Sequence, residues 1–101
     1  MRDANGKFIN ITKPTVLGVK YFCPCCGYKT LLERGGDDIC PVCFWEDDGQ
    51  DDHDADDVRG GPNYTLSLTQ ARANYKRLGA CEERVLGHVR APKDDEKMKP
   101  C

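Results

Sequence analysis

Two closely spaced pairs of cysteines could bind a metal ion. Cys23 and Cys26 lie in Cys-Pro-Cys-Cys-Gly, and Cys40 and Cys43 lie in Cys-Pro-Val-Cys. Thirteen residues separate Cys26 from Cys40. We call these two turns, residues 23–26 and 40–43, the knuckles. Pairs at this spacing are typical of a site in which four thiolates surround one ion. Since four sulfur ligands leave no open coordination position, the pattern predicts one structural Zn²⁺.

Two alternatives use the same four cysteines. The first knuckle resembles that of rubredoxins, whose four thiolates hold an electron-transfer iron. Zinc is favoured because Phe44 stands where the second rubredoxin knuckle has glycine, and because rubredoxins have a longer gap between knuckles. Disulfides are the other alternative. The N-terminal residues show no secretory leader and no apolar stretch long enough to cross a membrane, so we expect a cytoplasmic protein with reduced thiols.

A run of acidic residues follows the second knuckle. Eight acidic residues and no lysine or arginine lie from Glu46 to Asp57, while the rest of the chain carries fifteen basic and nine acidic residues. We call residues 46–57 the acidic segment. Such a run is often a solvated loop, but it also suits capture of a basic partner.

The predicted recognition surface combines the acidic segment with the aromatic pair before it. Its residues are Phe44, Trp45, Glu46, Asp47, Asp48, Asp51, Asp52, Asp54 and Asp56. The aromatic pair could instead form a hydrophobic lid beside the metal.

The same carboxylates could alternatively bind a second, catalytic metal. His53 lies among them, and such a site could activate water, which would make the protein a metal-dependent hydrolase that uses the carboxylates of Glu46 to Asp57. Ligands for catalysis must converge, whereas a docking surface leaves them apart. Spacing along the chain does not separate the two hypotheses.

Short elements are expected to position these residues. Residues 8–12 and 16–22 have strand composition, and the second stretch leads into the first knuckle. Residues 28–32 are typical of the return strand of a hairpin, and residues 35–38 of a turn before the second knuckle. This order predicts a small α+β fold around a zinc-ribbon-like β-hairpin core with two knuckles and one or two packed α-helices.

A helix is predicted at residues 68–78. Ser67 can cap it, with Gln70 completing a capping box, and Gly79 ends it. Apolar side chains share one face at Leu68, Ala71, Tyr75 and Leu78. A further helical turn is expected around residues 82–86. Residues 93–101 are predicted to be a disordered tail, so that a single domain spans residues 1–92.

Three cysteines lie outside the predicted ligand set. Cys25 is expected to point away from the metal as a partly exposed spare thiol, or as a reactive thiol of lowered pKa. Cys81 is expected to be a small buried residue, and Cys101 a terminal thiol without a role.

Five motifs follow one another in a recognisable order. They are Cys-Pro-Cys-Cys-Gly-Tyr-Lys-Thr-Leu, Asp-Ile-Cys-Pro-Val-Cys-Phe-Trp-Glu-Asp-Asp, Arg-Gly-Gly-Pro-Asn, Leu-Ser-Leu-Thr-Gln-Ala-Arg-Ala-Asn-Tyr and Gly-Ala-Cys-Glu-Glu-Arg. Together they resemble the cysteine-rich CPCC family of small bacterial proteins, from about Tyr21 to Pro92. The resemblance implies metal ligands at Cys23, Cys26, Cys40 and Cys43, with Cys25 as the family's extra thiol. It implies no settled activity.

These observations predict a zinc-stabilised protein-binding module. Its most concrete version is an immunity or antitoxin-like protein that covers the nucleic-acid site of a basic toxin with carboxylates. Nucleic acid itself is not expected as a ligand, because Arg72, Lys76 and Arg77 make a weak basic strip beside so many carboxylates. The sequence makes no prediction of oligomeric state.

Overall fold

The computed structural model describes residues 10–97, in which four short strands and one α-helix surround a cluster of cysteines. The strands are β1 (Tyr21–Phe22), β2 (Lys29–Leu31), β3 (Asp38–Ile39) and β4 (Glu46–Asp47), and the helix is α1 (Leu68–Leu78). Segments of 3-10 helix cover Asp52–Asp54, Gly61–Asn63, Glu83–His88 and Asp94–Glu96. The predicted α+β class is confirmed.

Each knuckle joins two antiparallel strands. β1 pairs with β2 around the first knuckle, and β3 pairs with β4 around the second. The first hairpin was predicted. The second was missed, because its return strand is the beginning of the acidic segment, where two carboxylates conceal a strand that follows Phe44 and Trp45.

The two long strands predicted before the first knuckle are largely wrong. Residues 8 and 9 lie outside the described residues, residues 10–12 form no strand, and the stretch 16–22 contributes only Tyr21 and Phe22 to a strand. Gly18 has a φ of 79°, and the amide of Val19 donates to the carbonyl of Val16 at 3.0 Å. The apolar run therefore bends into a tight turn, because a glycine permits positive φ inside it.

The helix has the predicted bounds and caps. The hydroxyl of Ser67 accepts a hydrogen bond from the Gln70 amide at 3.1 Å, and Gly79 closes the helix with a φ of 82°. Leu68 and Ala71 are fully buried on the expected face. The turn expected after the helix is the 3-10 segment Glu83–His88.

The buried core is small and is centred on sulfur. It contains the cysteines of both knuckles together with a few larger side chains, which are Leu31, Val42, Trp45, Leu68 and Val85. A core with so few large apolar side chains would gain stability from a metal bound to its cysteines.

Within the predicted disordered tail, Asp94–Glu96 form a 3-10 segment and Glu96 is buried, while residues 98–101 lie outside the described residues. Glu96 is 1% exposed. Its two carboxylate oxygens accept hydrogen bonds from the Arg90 guanidinium at 2.8 Å each, and the Lys93 amide donates to one of them at 2.8 Å. A paired, buried carboxylate holds this segment against the rest of the fold.

Replacing the Glu96 carboxylate with a neutral group should make the stability of the protein less sensitive to a fall in pH. The hydrogen bond from Arg90 lowers the pKa of Glu96 from 4.5 to about 2. A depressed pKa means that the pair stabilises the fold above pH ~4.5 and loses this contribution as the pH falls towards ~2. We expect Glu96→Gln to lower the thermal midpoint at neutral pH, and the difference from wild type to shrink in acid. A difference that stays constant across this pH range would contradict the assignment.

Candidate metal centre

Four thiols converge on one point between the two hairpins. Sγ of Cys23 lies 3.6 Å from Sγ of Cys43, and Sγ of Cys26 lies 3.7 Å from Sγ of Cys40. All four sulfurs lie within 4.8 Å of one another, and all four residues are buried. A tetrahedral ion with metal–sulfur bonds of about 2.3 Å requires sulfur–sulfur distances of about 3.8 Å. The four cysteines therefore fit one metal ion, and their thiols are free, not joined in disulfides.

The two knuckles have the same backbone geometry. The amide after each second cysteine donates to the carbonyl of the first, from Gly27 to Cys23 at 2.9 Å and from Phe44 to Cys40 at 2.8 Å. Gly27 has a φ of 81° and Phe44 a φ of 68°. Glycine adopts this conformation freely, whereas a residue with a Cβ loses about 1–2 kcal/mol in it. The second knuckle thus holds Phe44 in a strained conformation that the sulfur geometry requires.

The aromatic pair after the second knuckle divides into a buried and a surface residue. Trp45 has no exposed surface and belongs to the core, which agrees with a lid beside the metal and not with an exposed anchor. Phe44 is half-buried, and its ring stacks on His88 with centroids 5.2 Å apart. Only Phe44 of this pair reaches the surface.

A hydroxyl group supports the thiol cluster. Oγ1 of Thr30 lies 3.0 Å from Sγ of Cys40, and Thr30 is buried. The pKa of Cys40 lies well below its ordinary value because its thiolate accepts hydrogen bonds, foremost from Cys23. Cys26, Cys43 and Thr30 contribute to the same lowering. Burial raises the pKa of Cys23. A metal cation must therefore displace protons that the thiols share, so its affinity falls as the pH is lowered.

Removing the Thr30 hydroxyl should weaken metal binding. Thr30→Val keeps the shape of the side chain but removes the donor to Cys40, and losses of about 10-fold in affinity are typical when such a supporting hydrogen bond is lost. Zinc affinity can be measured by competition with a chromophoric chelator. Thr30→Ser, which retains a hydroxyl, is the matched control and should bind zinc more tightly than Thr30→Val. Equal affinities for wild type and Thr30→Val would contradict a role for the hydroxyl.

Asp47 is a fully buried carboxylate at the start of the acidic segment. Its Oδ2 accepts hydrogen bonds from Nε of Arg34 at 2.8 Å and from the Gly35 amide at 2.9 Å, and its Oδ1 accepts from the Gly49 amide at 3.2 Å. Arg34 is 8% exposed and also donates to Asp51 at 2.9 Å. The charge of Asp47 is therefore neutralised inside the protein.

Two further arginines reach the acidic segment from elsewhere in the chain. Arg59 binds the buried carboxylate of Asp54 through Nε at 3.0 Å and through Nη2. Arg72 of α1 donates to Asp52 at 2.7 Å and to the Pro24 carbonyl of the first knuckle at 2.8 Å. These contacts fold the segment onto the molecule and connect it to both the helix and the metal centre.

The predicted recognition surface is therefore only partly available. Trp45, Asp47 and Asp54 are buried, which corrects the expectation that they face a partner, because arginines and the core enclose them. The remaining members are half-buried or exposed, and they are Phe44, Glu46, Asp48, Asp51, Asp52 and Asp56. Sequence reasoning missed the three arginines and Thr30. The only signal was the excess of basic residues outside the acidic segment, which does not say where they pack.

The ligands of the alternative catalytic metal do not come together. Within residues 10–97, the four cysteines are the one set of three or more Cys, His, Asp or Glu residues whose ligand atoms converge. Nε2 of His53 lies 3.5 Å from Asp54, but the carboxylate of Asp54 is bound by Arg59.

The additional thiols are buried. Cys25 lies outside the convergent set, as expected, but it is 8% exposed and not partly exposed as predicted, because the core encloses it. Cys81 is 2% exposed, as predicted, and its amide donates to the Cys43 carbonyl at 2.8 Å. Burial, together with the nearby Cys25, raises the pKa of Cys81 to about 12. Cys101 lies outside the described residues.

A small α+β fold with four buried, convergent cysteines defines a cysteine-rich protein whose site can bind one metal ion. The family model described as Cysteine-rich CPCC matches residues 21–96, and the chain belongs to this family. The match extends beyond Pro92 to Glu96, the buried partner of Arg90. No curated protein and no solved structure matches the chain. Within residues 10–97, no helix has the length and apolar character needed to span a membrane.

Proposed function

We propose that this protein is a protein-binding module with a zinc-ribbon-like core stabilised by one structural zinc ion. The observation that carries the proposal is the set of four buried sulfurs at tetrahedral spacing. Four thiolates complete the coordination of zinc and leave no position for a substrate. The metal would then stabilise the fold, and the protein surface would bind the partner.

Zinc is proposed over iron, although both accept four thiolates in this geometry. The reason lies in the sequence, where Phe44 stands in place of the glycine of the second rubredoxin knuckle and the gap between the knuckles is shorter than in rubredoxins. Elemental analysis should find one zinc ion per chain in a colourless sample. A red sample containing iron would overturn the zinc assignment.

The proposed partner is a basic protein, and the proposed location is the cytoplasm, where thiols stay reduced. Asp52 and Asp56 are exposed, and Glu46 and Asp48 are half-buried beside them along the chain. Carboxylates at a surface attract a cationic partner over a distance and raise its association rate. In the most concrete version, the protein is an immunity or antitoxin-like protein, and these carboxylates cover the nucleic-acid site of a basic toxin.

Neutralising the exposed carboxylates should slow association with such a partner. We expect Glu46→Gln, Asp52→Asn and Asp56→Asn together to reduce the association rate roughly 10-fold at low salt, with a smaller effect as ionic strength rises. The measurement is stopped-flow or surface-based binding to a basic partner isolated by affinity capture.

The matched control is Asp94→Asn with Asp95→Asn, which removes two exposed carboxylates elsewhere on the surface. It should change the rate much less. An equal loss in the control would show that net charge, and not this surface, governs binding. If the protein binds a second metal ion per chain and His53→Ala loses it, the protein-binding proposal is wrong and the metal-dependent hydrolase is favoured.

A further inference from the structure

A groove on the first hairpin exposes an unusual amount of apolar surface. Its volume is about 380 Å³, and one wall is the turn at residues 16–19. Leu17 is fully exposed, Val16 is 47% exposed and Val19 39%, and Leu32, which also lines the groove, is 50% exposed. Single exposed apolar residues are ordinary, but several around one concave surface are typical of an interaction site.

The turn that carries Leu17 is held in place at both ends. Before it, Lys13 exchanges two backbone hydrogen bonds with Arg34, at 3.0 and 2.9 Å. After it, the hydroxyl of Tyr21 donates to the Pro14 carbonyl at 2.9 Å. Arg34 is itself fixed by the buried Asp47. The apolar wall is thus a preformed feature that needs little ordering when it binds a partner.

The rim of the groove is basic. Lys20 and Lys29 line it, and the one acidic residue among its lining residues is Asp95. The ammonium group of Lys29 lies 5.6 Å from the centroid of the Phe22 ring, which positions it over the hairpin. A groove lined by both apolar side chains and lysines complements a ligand that carries both apolar groups and carboxylates.

We propose that this groove binds a short segment of a partner protein in which apolar side chains alternate with acidic ones. Apolar side chains would fill the space beside Leu17 and Leu32, and carboxylates would pair with Lys20 and Lys29. The concave shape and the volume favour a peptide segment over a flat lipid surface. The groove shares no residue with the carboxylate surface proposed above, so this inference stands independently of the basic partner.

The test uses the full zinc-loaded chain and two labelled peptides. One peptide alternates leucine with glutamate, and the matched peptide alternates leucine with lysine. Fluorescence anisotropy should show binding of the acidic peptide alone, and amide chemical-shift changes should cluster at residues 15–20, 29 and 32. Leu17→Ser should weaken binding about 10-fold or more. Lys20→Glu with Lys29→Glu should reverse the preference towards the basic peptide.

Val58→Ser removes an apolar side chain that is 53% exposed away from the groove and serves as the control, with unchanged binding expected. Zinc content should match wild type in every variant, since none of the changed side chains belongs to the metal centre. The thermal midpoint should also match in Leu17→Ser and Val58→Ser, whose side chains are exposed. Equal binding of both peptides, or of neither, would overturn the proposal. So would Leu17-dependent binding to phosphatidylserine vesicles without peptide binding, or concentration-dependent self-association abolished by Leu17→Ser.

Discussion

Replacing Cys40 with serine is expected to remove the bound metal and to unfold the domain. Cys40 is completely buried, is one of the four convergent ligands, and is the thiol that Thr30 supports. A structural zinc site contributes on the order of 10 kcal/mol, which is comparable to the whole stability of a small domain. Far-ultraviolet circular dichroism and elemental analysis should show loss of structure and of zinc together.

Cys25→Ser is the matched control for Cys40→Ser. It removes a buried thiol from the same core but from outside the convergent set. We expect it to retain one equivalent of zinc and most of the thermal stability. A Cys40→Ser protein with wild-type stability and metal content would refute the four-ligand site, and loss of zinc in Cys25→Ser would make Cys25 a ligand.

Breaking the buried pair of Arg34 and Asp47 is expected to have the next largest effect. Asp47→Asn weakens all three hydrogen bonds to the carboxylate and leaves Arg34, which is 8% exposed, without its closest counter-charge. Removing one partner of a buried ion pair lowers the free energy of unfolding by about 3–5 kcal/mol. Denaturant unfolding with zinc in constant excess measures this loss separately from metal binding.

The partly exposed pair of Arg84 and Glu82 provides the comparison. Arg84 is half exposed, and Glu82→Gln should lower the free energy of unfolding by about 1 kcal/mol or less. Arg34→Met combined with Asp47→Leu should recover part of the stability lost in Asp47→Asn, because no unpaired charge stays buried. Similar losses in Asp47→Asn and Glu82→Gln would show that Arg34 does not hold the acidic segment in place.

The acidic segment shows that a run of charged residues in the sequence does not predict the charge at the protein surface. Eight carboxylates in twelve residues predict a repulsive, solvated loop. In the fold, Arg34, Arg59 and Arg72 neutralise several of them, and Asp47 and Asp54 become buried structural groups. The buried carboxylates of Asp47 and Asp54 are then not available to dock a partner or to bind a second metal, whereas Asp52 stays exposed beside Arg72.

The features that the sequence by itself determined are those made by neighbouring residues. The two cysteine knuckles, the first hairpin and the helix from Leu68 to Leu78 depend on turns, caps and periodicity within a few residues, so the spacing of residue types predicts them. Tertiary structure alone decided which carboxylates are buried, that Trp45 is covered and that residues 93–97 pack on the fold. These outcomes depend on contacts between residues that are distant in the sequence, because an ion pair or a buried surface forms only when the fold brings both partners together.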